Sequence, residues 1–219
     1  MPASGEVEGY GPQTATVTDV RDPEGLRRVQ VTIPVFKASA VWARVATLMA
    51  GNQRGTWFIP DVNDEVLVAF EAGDPRKPYV IGALWNGKDR PPTAMDGAGS
   101  NNLKEIRTRS GVRITFNDAQ GIETLVLETP GGQKVQLNGG GKAIYIEDGN
   151  GNSVNLDAAG ITINAAARVA VNCSTAQINA GMLEVNAGMA KFSGVVQCDT
   201  LITNSTISAS YTPGAGNIR

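Results

Sequence analysis

Few side chains in this chain could carry covalent or metal chemistry, and the commonest of them is missing. Histidine does not occur among the 219 residues. Ser-His-Asp and Cys-His nucleophiles and His-ligated zinc or iron sites therefore have no possible centre. Cys173 and Cys198 are the two cysteines, too few for a disulfide framework or for a four-thiolate site in one chain, although three symmetry copies could bring three thiols together. They are expected as reduced thiols, buried like small apolar residues between strands. Carboxylates do occur close together, Asp61 with Asp64 and Glu65 with Glu71, and a carboxylate pair at the right separation can hydrolyse a glycoside. The competing reading, charge at strand ends and hairpin turns, is the one adopted. Asp148-Gly149-Asn150-Gly151-Asn152 has the alternating oxygens of a calcium loop, but Ser153 stands where glycine is wanted and Ala159 where a bidentate glutamate is needed. It reads as a turn. Gly97-Ala98-Gly99 and Gly139-Gly140-Gly141 lack the strand, spacing and lysine of phosphate loops. No catalytic, cofactor or metal residue is assigned, and the chain is read as a non-enzyme.

With no chemistry to position, the elements themselves become the informative part. From Ile161 onward one short alternating segment follows another, and Ile163, Val171, Ile178, Val185 and Phe192 fall eight, seven, seven and seven positions apart, each followed by Asn or Ser. Alternation puts one side-chain set on each face of a strand. A solenoid rung wound by one chain usually takes roughly 20 residues or more, and shorter repeats keep periods of about six or nine. A period of seven to eight suits three copies wrapped on a common axis, with Ile161, Ile163, Val169, Val171, Ile178, Val185 and Phe192 turned inward. An ordinary antiparallel sandwich or meander is the alternative, against which stands the shortage of turn signals.

The rest of the chain is also β in character. Glycine is abundant at 26 residues, and a net charge of -2 gives no electrostatic ground for nucleic acid or an anionic membrane. The N-terminus shows no basic region followed by an apolar core, and no apolar run approaches the roughly 18 residues of a membrane span. Synthesis and assembly are expected in the cytoplasm. Alternating runs at 11–20, 28–33, 42–46, 56–60, 65–70 and 79–85, parted by turns such as Asp22-Pro23-Glu24-Gly25 and Gly73-Asp74-Pro75, predict a small barrel of the oligonucleotide/oligosaccharide-binding (OB) type. Trp42, Trp57, Phe58, Phe70 and Trp85 fall within this apolar pattern and are expected in core packing or a subunit seam. Arg44 and Arg76 are candidates for polar contacts to a neighbour. A Pro-, Gly-, Ala- and Ser-rich linker follows from Arg90 to Asn102, and longer strands lie between Lys104 and Leu156.

The succession DPEGLRRVQVTIP, WARVA and WFIPDVNDEVLVAFEAGDPRKPYVIGALWNGKDRPP resembles the barrel domain of the VgrG and phage baseplate spike family, over about residues 11–92. SGVRITFNDAQGIETLVLETPGGQKVQLN resembles the region where such spikes leave the barrel, and the terminal YTPGAGNI resembles the ending of some of them. The resemblance implies an all-β chain, an N-terminal OB-fold barrel followed by a C-terminal intertwined trimeric β-helix. The expected division is a lead over 1–10, barrel 11–89, linker 90–103, β-helix base 104–160, shaft 161–210 and tip segment 211–219. The iron held by paired histidines near the tip of some relatives cannot be carried over, and the linker is too short for the lysozyme domain that others insert.

The function so implied is mechanical: a homotrimeric central spike of a contractile injection system, phage or phage-tail-like, that docks on a hub protein and pierces the target envelope. Arg44 and Arg76 are the possible hub contacts. A PAAR-type tip protein is expected at the C-terminal end, on Tyr211, Pro213, Gly214, Gly216, Asn217 and Ile218. Contact with the target envelope is transient, and neither cofactor nor nucleic acid is called for. The alternatives are a trimeric tail-fibre or adhesin shaft with a glycan-binding barrel and, third, a barrel-borne glycosidase using Glu65 or Glu71.

Overall fold

The structure, a computed structural model, describes residues 11–36, 40–95 and 97–208. It divides into two compact units, Met1–Arg168 and Val169–Arg219.

The first unit opens with a closed barrel. Its strands are β1 (Gln13–Asp19), β2 (Val29–Thr32), β3 (Val41–Val45), β6 (Glu65–Phe70) and β7 (Pro78–Ala83), in the closed order β1-β2-β3-β7-β6. A two-stranded hairpin, β4 (Ala50–Gly51) with β5 (Arg54–Gly55), stands between β3 and β6. All barrel pairs are antiparallel except β3 with β7, which pair in parallel. The alternation in each strand sends one set inward, so Val17, Val29, Val31, Ile33, Val66 and Val68 are fully buried with Ala15, Ala43 and Val80 around them. Each buried Val or Ile contributes about 1.5–3 kcal/mol.

The turn between β1 and β2 is tied by one carboxylate. Asp22 accepts from the Arg28 guanidinium at 2.8 and 3.1 Å and from the backbone N–H groups of Glu24 and Arg28 at 3.1 Å. Its side chain is only 3 % exposed. The side-chain hydrogen bond from Arg28 holds its carboxyl well below the usual carboxylate range. Asp19 beside Arg21 and Asp74 beside Arg76 are each lowered to about 2 by their arginine's side-chain hydrogen bond, but those arginines are exposed and solvent screens the pairs. A carboxyl whose folded pKa is depressed adds stability above its unfolded pKa of about 4, and that contribution is lost as pH falls through the folded value. The melting temperature should therefore hold from neutrality to about pH 5 and fall below about pH 4. Asp22→Asn should lower the neutral value and flatten this acid limb, as read by circular dichroism.

One expected strand is absent. Residues 56–60 make no ladder, and Trp57 and Phe58 are 66 % and 71 % exposed. The run follows the β4–β5 hairpin and touches the barrel core through Ile59, and Pro60 has no N–H to offer a neighbour. Trp85 is 70 % exposed. Core packing is thereby excluded for these three aromatics, while Trp42 and Phe70 are half-buried.

Seven five-residue strands follow in the same unit: β8 (Leu103–Arg107), β9 (Arg113–Asn117), β10 (Thr124–Glu128), β11 (Lys134–Asn138), β12 (Ala143–Glu147), β13 (Ser153–Asp157) and β14 (Gly160–Asn164). Each pairs antiparallel with the next, giving a single meander sheet within one chain. The strands from 103 to 164 are therefore laddered by their own sequence neighbours. The meander takes in β14, where Ile161 and Ile163 lie. Glycine lets the turns touch: a Cβ on Gly140 would fall 1.9 Å from the Gly121 carbonyl oxygen, and one on Gly149 would fall 2.5 Å from that of Gly131. Each turn thus rests on the turn two strands away.

In the second unit no strand is formed among the described residues up to 208. Val169, Val171, Ile178, Val185 and Phe192 are 61 to 75 % exposed. Cys173 and Cys198 are free thiols, exposed in the single chain, so their expected burial is not met within one copy.

Candidate functional site

In the meander the register sorts side chains by chemistry. Directly opposed residues share a face, and one face carries two continuous rows. The first runs Lys104, Phe116, Leu125, Leu137, Ile144, Leu156, Ile161; the second runs Ile106, Ile114, Leu127, Val135, Ile146, Val154, Ile163. Thirteen of these fourteen are apolar. The other face is mainly polar, interrupted by Leu103, Val126, Ala143 and Tyr145, and along one margin Arg113 pairs with Glu128 and Lys134 with Glu147, the latter at 3.4 Å.

A sheet with one apolar face buries it against a second layer, yet none covers this face among the described residues. Phe116, Leu127, Leu137 and Ile146 remain 40 to 43 % exposed, and Ile161 and Ile163 are 70 % and 60 % exposed. Covering a half-exposed Leu or Ile contributes on the order of 1 kcal/mol. The whole face would therefore supply on the order of 10 kcal/mol per chain on assembly, comparable with the entire stability of an ordinary domain.

Comparison with known proteins finds two family matches along the chain. Residues 13–85 match the family described as the Type VI secretion system/phage-baseplate injector OB domain, and residues 124–184 match the phage baseplate V C-terminal trimerisation domain. The chain belongs to the VgrG and phage baseplate spike family. A Type VI secretion system spike protein VgrG3 of Vibrio cholerae is 31 % identical over 130 residues, covering 53 % of this chain and 13 % of the relative. VgrG1b of Pseudomonas aeruginosa is 28 % identical over 143 residues, covering 58 % and 19 %. An actin cross-linking toxin VgrG1 of Vibrio cholerae is 29 % identical over 137 residues, covering 57 % and 12 %. This spike-family chain thus spans 12 to 19 % of the length of these relatives. The first family match takes in all seven strands of the barrel region; the second runs from β10 past β14 to residue 184, into the second unit.

The other candidate residues of the spike-family chain have definite places. Glu65 opens β6 and accepts from Asn86 at 2.7 Å, whereas Glu71 follows its far end, accepting from the Tyr79 hydroxyl at 2.8 Å. At about 3.3 Å per residue the intervening strand parts them by roughly 20 Å, beyond the about 5–9.5 Å of a glycosidase pair. Asp64 accepts from the Asp61 N–H at 2.8 Å, and Asp61 pairs with Arg109 at 3.0 Å. Both carboxylates are engaged at a turn. Asp148 accepts from the backbone and side-chain N–H groups of Asn150 and Asn152, and the Asn152 side chain is the largest cause of its lowered pKa. Its oxygens close a turn. No group of three or more Cys, Asp or Glu able to hold a metal occurs among the described residues.

Arg44 is exposed, with its guanidinium 5.6 Å from the Tyr79 ring centre. Arg76 forms a two-point pair with Asp74 at 2.9 and 3.0 Å, which occupies its planar fork. The tip residues Tyr211, Pro213, Gly214, Gly216, Asn217 and Ile218 lie outside the described residues. The exposed Trp57-Phe58 pair escaped sequence reasoning as a surface feature, and the signal that could have marked it was Gly55 before and Pro60 after it.

Proposed function

We propose that this chain is the structural central spike of a contractile injection system: a homotrimer whose barrels dock on a hub protein and whose C-terminal part drives through the target envelope when the sheath contracts. The observation that carries this reading is the two-row apolar face of a single-layer sheet in a chain of the spike family. Three such sheets, apolar faces inward, would close a three-sided core, and beyond Asn164 the alternating segments would find their ladders in the other two copies. Ile161, Ile163, Val169, Val171, Ile178, Val185 and Phe192 would then line the axis as an intertwined trimeric β-helix. A shaft closed in this way leaves no free strand edge along its length, and a filled core resists bending.

Assembly in the cytoplasm into the baseplate of a phage or phage-tail-like particle follows from this role, as does a PAAR-type tip protein at the C-terminal end. The reading is tested by light scattering on the purified chain at micromolar concentration. Three times the single-chain mass of 22.9 kDa is expected; a single-chain mass would refute it. The same trimer should retain a purified PAAR-type protein, and a chain ending at Ser210 should not.

A further inference from the structure

A cleft of about 740 Å³ opens on the barrel beside the β4–β5 hairpin. Arg27, Arg44 and Arg54 line it together with Met49, Trp57 and Phe58, and no Asp or Glu does. None of the three arginines makes an ion pair with a described residue. The apolar part is held in place and exposed: Trp57 and Phe58 stand at 66 % and 71 %, and neighbouring Leu48 at 97 %. Two bonds keep this shape, from the Thr56 N–H to the Met49 carbonyl at 3.0 Å and from the Thr47 hydroxyl to the Thr56 carbonyl at 2.8 Å. Gly55 sits at φ +153, where a Cβ would meet the Met49 carbonyl oxygen at 2.5 Å. Trp and Arg, presented on a preorganised backbone, are the residue types that dominate protein–protein hot spots.

The charge of the occupant follows from the rest of the barrel. Three unpaired guanidiniums call for carboxylates, and a second copy has none to spare there. Asp19, Asp22, Glu24, Asp61, Glu71 and Asp74 are in ion pairs. Asp64 is hydrogen-bonded to the Asp61 N–H, and Glu65 and Asp89 to Asn86. Every carboxylate on the described barrel is thus engaged, which favours a complement supplied by another protein.

We propose that this cleft is the docking site for an acidic segment of the hub protein. The hub's Asp and Glu side chains pair with Arg27, Arg44 and Arg54, and a large apolar side chain seats against Trp57 and Phe58. The assignment rests on the spike reading, and it replaces Arg76, whose fork Asp74 already fills, with Arg27 and Arg54 as partners of Arg44.

The test uses the full chain and the purified hub protein of the same particle, with binding followed by calorimetry. Arg44→Glu and Arg54→Glu, each first shown by light scattering to keep the parent mass, should each weaken binding roughly tenfold or more, because a reversed charge leaves its partner carboxylate facing repulsion. Trp57→Ser should weaken it comparably, and Lys88→Glu, an exposed charge change outside the cleft, should leave it as it was. Parent affinity should fall as salt rises. A trimer that binds the hub equally well with Arg44→Glu and Arg54→Glu overturns the cleft assignment and leaves the spike reading standing. A parent trimer that does not bind the hub overturns the docking role and the cleft with it. Retention of the parent on hub-free anionic glycan, abolished by the same reversals, would assign the cleft to a glycan and also overturn the proposal.

Discussion

A Leu137→Glu chain should run as single copies of 22.9 kDa under conditions where the parent runs at three times that mass. Leu137 lies mid-row on the apolar face, opposite Leu125 on one side and Ile144 on the other, and is 41 % exposed in one chain. In the separate chain a glutamate there meets water and leaves the sheet intact. In a closed three-sheet core it would be desolvated without a partner, a cost of several kcal/mol per ion, and the symmetry repeats it three times around the axis. The neighbouring Gln136→Glu places the same charge on the polar face and should leave the trimer intact. Light scattering reads both, with circular dichroism confirming that the strands persist. A trimeric Leu137→Glu chain would show that copies do not meet through this face.

The second large effect is expected at a turn. Gly140→Val should lower the stability of the meander by on the order of 3 kcal/mol, because its Cβ would fall 1.9 Å from the Gly121 carbonyl oxygen and 2.8 Å from its carbon. Both are backbone atoms, so no side chain can rotate aside. The turns after β9 and β11 must separate, which loosens the ladder between β10 and β11. Hydrogen exchange should rise at 113–147 while the barrel stays protected. Gly87→Ala, where nothing lies within 4 Å of the new Cβ, is the matched control. Unchanged protection in Gly140→Val would mean that the stacked turns do not hold the sheet.

Much of the barrel was legible because one buried face imposes a period of two. Val29, Val31 and Ile33 alternate in sequence and are buried in the structure, and the turns at Asp22-Pro23-Glu24-Gly25 and Gly73-Asp74-Pro75 punctuate the strands as expected. Thr56 to Pro60 shows the limit of that signal. An apolar run exposed for binding has the same composition as one buried in a core, and only the backbone course distinguishes them. The strands from 103 to 157 were each legible, but not the register that aligns thirteen apolar side chains on one face, since register depends on turn geometry at 118–123, 129–133, 139–142 and 148–152. Beyond Asn164 the sequence period shows where strands should be, but among the described residues of one chain no ladder forms there. Engagement of Arg76 by Asp74 two residues away was equally beyond composition, because it follows from the fork geometry at the turn.

The order in which the meander pairs its strands bears on how the molecule comes into being. Every ladder from β8 to β14 joins sequence neighbours, whereas the barrel must bring β1 to β6 and β3 to β7 across long stretches of chain. Pairing between neighbours is fast and non-local closure slow, so the sheet is expected to form early and, in the proposed trimer, to wait with its apolar face open for two more copies. Completion is then an encounter between chains, with a rate set by how many are present. A producing cell that makes too few at one time leaves each with a surface that invites aggregation, so synthesis in local bursts favours the finished assembly.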